Sequence, residues 1–415
     1  TTATPRPSSV EPGQRPTLWV VGVGGITLDA LLPLVQEGRL PFFAEILEQG
    51  AHARLTSYAP RRTGALWTSL VTGKLPYRHG VLDDVIFRAG LLSPEATLRL
   101  APVGVDFTHW GMLGSPTTRV DAGSTGVLPA WQILHRLGLR CGLIGWPLTD
   151  PVMEEASFAF SDRFFDGQFG RSSAQPKELS ERGTLFRPQA SEVGGGLDEI
   201  SPVNRSALVQ DQWRESLTGF LLDQERNVEA LFLYLPGLEA VSSAYFSAYD
   251  AVQFGGSQDP ETQEAAAQFI SYYEHLDRSL EELIGRARDS TVVAIVSAYG
   301  FEAQGGWGRL LGKVREEDSW RGTASNSPDG LLLLSGRGIQ PGAFPAPAEL
   351  TDVLPTLLYS LGLPIARDLD GRVLTAAFGS GFLARQPLTF VPSYETLAEI
   401  EIDEPPELVP TAPPE

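Results

Sequence analysis

Residues 58–80 read YAPRRTGALWTSLVTGKLPYRHG, and this stretch organises the reading of the whole chain. Pro60, Arg61 and Arg62 lead to Thr63, an apolar run follows from Ala65 to Val71, and Gly73, Pro76 and Gly80 punctuate a tight exit. The pattern predicts loop, helix, loop, with a hydroxyl at the helix N-terminus. Such a Thr has two possible roles. It can be an N-cap whose Oγ accepts from a free N–H of the first turn, a contribution of about 1 kcal/mol. It can also be a nucleophile, because the same N–H groups and the helix dipole stabilise an attacking alkoxide or a bound phosphate. The local sequence favours the cap.

Outward from this stretch the chain alternates strands and helices. Leu18 to Val23 is a continuous apolar run ending among Gly22, Gly24 and Gly25, as expected of a buried parallel strand and a tight turn. Helical spacing follows at 28–35 and 42–47, and a strand from Ala51 to Tyr58 delivers the chain to Thr63. Further strands are expected at 141–146, 230–235, 291–297 and 330–335, separated by helices at 129–137, 205–222, from Glu239, 260–288 and 350–361. This rhythm predicts an α/β fold, a mostly parallel central sheet with helices on both faces. Chemistry in such sheets sits at the carboxyl ends of the strands, so the turns after Val23, Tyr58, Leu235 and Ser297 should converge.

The expected organisation is an extended Pro- and Ser-rich arm over 1–16, one α/β domain over 17–385, and a Pro- and acid-rich tail over 386–415. Two regions with loose patterning, 83–126 and 150–203, are expected to be insertions forming a cap. The balance of 32 Lys+Arg against 51 Asp+Glu gives a net charge of −19, which repels phosphate backbones and argues against a nucleic-acid partner. Cys141 is the single cysteine, so an internal disulfide and a cysteine metal cluster are both excluded. No apolar run is long enough to span a membrane, and no hydrophobic leader is visible, so a cytoplasmic location is expected, with export after removal of a leader as the alternative.

Across nearly its whole length the chain resembles the alkaline phosphatase superfamily, in its type I phosphodiesterase and nucleotide pyrophosphatase branch. The resemblance is carried by VVGVGG at the first strand, RRTGALWTSLVTGKLPYRHG, LIGWPLTDP, SDRFF, LYLPGLEAVSSAYF, IVSAYGF, SNSPDGLLLLSGRGI and DVLPTLLYSLGLP, in that order. It implies an alkaline-phosphatase-like fold. It also implies a site in which two divalent metals, usually zinc, are held by Asp and His and activate a Thr or Ser nucleophile. Carried over position by position, the nucleophile falls on Thr63, which is retained. The first metal Asp falls on Gly24. The DxxxH pair falls on Glu239 and Ser243, the Asp and His of SDHG on Ala298 and Tyr299, and the last His on Asn326.

Of these vestigial metal positions only Glu239 can ligate a hard cation, and none of the five histidines offers a replacement. His79 matches a loop-shaping His, and His52, His109, His135 and His275 lie outside the matched turns. Tyr299 is expected to fill the vacated volume with its ring. Without a metal or an adjacent base a Thr hydroxyl stays protonated at neutral pH, so Thr63 is expected to persist as a cap.

The leading expectation is therefore a pseudoenzyme: a phosphodiesterase-type fold without metal cofactors, kept as a binding or scaffold subunit. Its protein partners would meet the region 150–203, the loop bearing Trp307 and Trp320, or the terminal arms. One alternative is a hydrolase using Thr63 and Glu239, with Asp29 or Asp83, around an atypical metal. Another is a metal-independent anion-binding protein using Arg61 and Arg62, which otherwise are solvated side chains.

Overall fold

The computed structural model describes residues 17–88, 97–98, 117–170, 172–191, 193, 200–224, 228–304, 320–326, 328–343 and 347–396. Its centre is a nine-stranded sheet. In chain order the strands are β1 (Thr17–Val23), β2 (Ala51–Thr56), β3 (Cys141–Ile144), β4 (Phe158–Phe160), β5 (Ala174–Gln175), β6 (Ala230–Leu235), β7 (Thr291–Ser297), β8 (Gly330–Gly336) and β9 (Ala348–Glu349). Across the sheet the order is β9-β2-β8-β7-β1-β6-β3-β4-β5. β8 runs antiparallel to both neighbours and β5 antiparallel to β4, while the other pairings are parallel. β1, β6 and β7 are buried along their whole lengths, as their unbroken apolar sequences require of strands covered on both faces.

The described helices of eight residues or more are α1 (Leu28–Gln36), α2 (Pro41–Gln49), α3 (Thr63–Thr72), α4 (Pro202–Gln224), α5 (Gly237–Gln253), α6 (Pro260–Ile284) and α7 (Val353–Ser360). α4, α5 and α6 pack on one another and α6 reaches α2, whereas α3 packs with α7. α6 also anchors α2 through Asp277, whose carboxylate oxygens accept from the Phe42 and Phe43 N–H groups at 3.2 and 2.9 Å. Between α3 and the sheet, Trp67, Trp131, Trp146, Phe232 and Tyr234 form an edge-to-face aromatic cluster. Gly22 makes this contact possible, since a Cβ there would stand 3.0 Å from the Trp146 ring and 3.1 Å from that of Trp67.

The region 150–203 differs from its expectation as a cap. Its described part supplies β4 and β5 to the sheet edge and buries Phe158, Phe160, Phe164 and Phe165 in the main core. Strands of three and two residues are too short to leave a period-2 signature, which is why the segment reads as irregular. In 83–126, Val85–Arg88, Thr97–Leu98 and Thr117–Arg119 form a small separate antiparallel sheet. The arm 1–16, Trp307, His109 and residues 397–415 lie outside the described residues. Residues 386–396 are docked on the domain: Phe390–Val391 pairs with Ile365–Ala366, and Tyr394 is buried. Among the described residues no helix is long and apolar enough to cross a membrane.

α3 is buried on every side and ends at Gly73 in the left-handed conformation, φ 62°. A further turn, Pro76–His79, ends at Gly80 with φ 85°. His79 locks that turn to the helix. Its Nδ1 accepts from the Val81 N–H at 3.2 Å, so Nε2 carries the proton and meets Ser69 Oγ at 3.0 Å. Burial holds the imidazole neutral and lowers its pKa from 6.5 to about 4. The unfolded chain therefore takes up the proton first as pH falls. The His79 contribution is complete above pH 6.5 and is lost on descent toward pH 4. The difference in unfolding free energy between the wild type and His79→Gln should shrink by about 1.36 kcal/mol per pH unit over that range. Denaturant titrations at successive pH values measure it, and a pH-independent difference would contradict the assignment.

Candidate functional site

The carboxyl ends of β1, β6 and β7 and the loop after β2 meet as expected. Gly25 N–H, after β1, donates to Ser297 Oγ at the end of β7 at 3.1 Å, and Ser297 Oγ donates to the Tyr299 carbonyl at 2.8 Å. Arg61, after β2, reaches Glu239 at the start of α5, with Nη1 to Oε1 at 3.0 Å. Its backbone N–H donates to the Ser325 carbonyl at 3.1 Å, which brings the loop before β8 to the same rim.

α5 is held in place from below by a buried acid. Asp211 Oδ1 accepts from the Gly237 N–H, the first residue of α5, at 3.0 Å, and its Oδ2 accepts from Tyr272 Oη at 2.6 Å. Burial pushes the Asp211 carboxyl up to about 6 and the nearby Arg214 guanidinium down to about 10. Arg214 stacks over the Phe165 ring at 4.1 Å. This floor fixes where Glu239 emerges, two residues into the helix.

Glu239 is the hub of the cleft. One carboxylate oxygen takes Arg61, and the other accepts from Tyr234 Oη at 3.1 Å. Gly24 lies against this pair: a Cβ there would stand 2.8 Å from Tyr234 Oη, 2.9 Å from Glu239 Oε2 and 3.0 Å from Glu239 Cβ. A side chain at Gly24 would require Tyr234 and Glu239 to shift. Tyr299 is fully buried, and the Arg61 guanidinium lies 5.2 Å from the centre of its ring. Its hydroxyl faces Glu239 and Thr63. Burial, reinforced by the Glu239 charge, pushes the phenols of Tyr234 and Tyr299 well up, so both stay protonated donors.

The structure assigns the cap of α3 differently from the sequence. Thr63 is the first helical residue, and Arg62 at the capping position supplies no side-chain acceptor. The acceptor is Asp84, whose Oδ1 takes the Gly64 N–H, with the Thr63 N–H also directed at that carboxylate. Thr63 is displaced because a carboxylate arriving from outside the helix is the stronger acceptor for these donors. Burial raises the Asp84 pKa, opposed by the Gly64 N–H, by Arg61 and by the Thr63 N–H. Arg62 is not a solvated side chain either, since its Nε pairs with the buried Asp83 at 3.0 Å.

The remaining positions sit apart from this centre. Ser243 is exposed one turn along α5, Ala298 is buried beneath the loop, and Asn326 donates to Glu302 at 2.9 Å on the rim. Asp29 pairs with Arg54 at 3.3 Å. Trp320 packs half-buried against Ala248, Ala265 and Ala266 rather than standing free. Among the described residues no three His, Cys, Asp or Glu side chains cluster as metal ligands. Among the described residues the carboxylates of the cleft are engaged by guanidinium, phenol and backbone donors, and no imidazole joins them.

A family model for type I phosphodiesterase / nucleotide pyrophosphatase matches residues 18–310. The chain belongs to that family. Human ectonucleotide pyrophosphatase / phosphodiesterase 5 superposes with a TM-score of 0.51 at 13% identity, over 88% of this chain and 100% of that one. A multiply substituted alkaline phosphatase PafA gives 0.54 at 12% identity, over 88% and 99%. At such identities the likeness establishes the alkaline-phosphatase-like fold. No curated protein sequence matches the chain.

Removing the hub tests the cleft. Glu239→Ala leaves the Arg61 charge and the Tyr234 hydroxyl without their acceptor. It should cost about 1–2 kcal/mol, at the lower end of buried-pair losses because water still reaches Arg61. Glu239→Gln, which keeps an acceptor for Tyr234, should cost less. Denaturant unfolding of the variants reads both, and an Ala variant as stable as the wild type would remove Glu239 from its central place.

Proposed function

We propose that this protein is a catalytically inactive member of the type I phosphodiesterase family, a pseudoenzyme that serves as a binding or scaffold subunit of a larger assembly. The observation that carries the reading is the Arg61–Glu239 ion pair, with Tyr299 beneath it, standing where the family's metal chemistry needs open ligands. A metal competing for Glu239 would have to displace a guanidinium already 3.0 Å away. It would then find Ser243, Ala298, Tyr299 and Asn326 where the family supplies Asp and His. Lewis-acid activation of the nucleophile and stabilisation of the leaving oxygen would both be lost with the ligands.

The energetics of Thr63 point the same way. Among the described residues no carboxylate or imidazole is seen hydrogen-bonded to its hydroxyl, and the Tyr299 phenol that faces it is protonated and cannot take its proton. The scaffold role is supported by what is retained: a large continuous core, a buried sheet and a docked C-terminal segment around a cleft tied by internal charge pairs.

Elemental analysis of the purified protein beside a diesterase assay tests the proposal. The expected result is substoichiometric zinc, manganese and iron, and equal background cleavage of an activated phosphodiester by the wild type and Thr63→Ala. Stoichiometric metal together with Thr63-dependent turnover would overturn it.

A further inference from the structure

Far from the cleft, the last described residues are pinned to a fixed point. Lys74 Nζ, buried at the exit of α3, donates to Asp368 Oδ2 at 2.9 Å and to Glu395 Oε1 at 3.4 Å, and the Leu128 N–H donates to the same Glu395 oxygen at 3.0 Å. Glu395 therefore sits beside the segment 367–373. That segment and the strand pair Ile365–Ala366 and Phe390–Val391 frame a groove of about 360 Å³. Leu369 and Val373 line it half-buried, and Leu388 and Phe390 are 40% and 49% exposed. Arg367 and Arg372 stand exposed along it. The Arg367 guanidinium lies 4.7 Å from the centre of the Phe390 ring, and Arg372 donates to the Pro347 carbonyl at 3.3 Å. Among the described residues neither guanidinium is in an ion pair. The groove thus joins exposed apolar side chains to two cations without acidic partners, in a chain of net charge −19.

The sequence that follows complements both properties. Residues 398–403 read AEIEID, a strict alternation with Ile400 and Ile402 on one face and Glu399, Glu401 and Asp403 on the other. This is the pattern of a half-buried extended strand, and Pro405 and Pro406 end it. Residues 397–415, outside the described residues, contain no Lys, Arg or His to compete with the groove for these acids. Ile400 lies four residues beyond Thr396, a reach of about 13 Å when extended. We propose that residues 398–403 of the same chain dock in this groove in extended form, with Ile400 and Ile402 against Leu388 and Phe390 and the carboxylates beside Arg367 and Arg372. Burial of the two isoleucines supplies the attraction, and the rim charges set the register. The short tether makes the event intramolecular, which favours this segment over that of a second copy.

Hydrogen exchange followed by mass spectrometry on the full chain tests the inference. Amides 398–403 should exchange at least about tenfold more slowly in the wild type than in the double variant Ile400→Asp/Ile402→Asp, and that variant should speed exchange at 388–391. Arg367→Ala/Arg372→Ala should release the segment likewise, and the isoleucine variant carries the test if these groove substitutions disturb the fold. A synthetic peptide of residues 397–404 should restore protection at 388–391 in the isoleucine variant. It should bind that variant roughly tenfold more tightly than the wild type, the ratio for an effective concentration of about 1 mM and a peptide Kd of about 0.1 mM. Protection of 398–403 should not change with protein concentration. Wild-type amides 398–403 exchanging at the rate of an unstructured peptide, or groove amides indifferent to the isoleucine substitutions, would overturn the inference. Protection that grows with protein concentration would overturn it in favour of the segment of a second copy.

Discussion

The Glu239 carboxylate is the contact on which the rest of the cleft depends. One oxygen takes the Tyr234 phenol from β6 and the other the Arg61 guanidinium from the loop after β2, so a single side chain joins two strand ends. Arg61 is thereby laid over Tyr299 just after β7, and Gly24 just after β1 lies close against Tyr234 and Glu239. Its position is inherited from Asp211, which fixes the first N–H of α5 from inside the core. A buried, hydrogen-bonded acid beneath an ion pair at the surface is an ordered chain of support. Each carboxylate is satisfied by donors the fold already supplies, and neither is left as an open ligand.

Most of the fold was legible because its strands advertise themselves. TLWVVGV, ALFLYL and TVVAIVS are apolar throughout, and their burial on both faces follows directly. The convergence of the strand ends follows from parallel pairing alone. What escaped were elements too short to show a repeating pattern. β4 and β5, three and two residues long, turned a supposed cap into the edge of the sheet. The burial of Phe158 and Phe160 there was a composition signal that could have been weighed against irregularity.

The site was legible as a set of positions and not as a set of partners. Gly24, Glu239 and Tyr299 were each identified, but that Tyr234 and Arg61 would converge on Glu239 depends on side-chain direction across three separate loops. Asp84 was missed altogether. Its only sequence signal is the DD pair after the RHG turn, and a local reading gives the cap to the residue nearest the helix, Thr63. Capping from a distance of 20 residues in sequence is a tertiary choice, made because the insertion sheet delivers a carboxylate to donors that a Thr hydroxyl would satisfy more weakly.

That choice bears on how the charges of the cleft are balanced. An uncompensated buried charge costs several kcal/mol. Here the balance comes from within the protein. Arg61 supplies a cation to Glu239, Arg62 supplies one to Asp83, and the helix end supplies partial positive charge to Asp84. The compensation is local, because every partner comes from the strand-end loops or the insertion beside them.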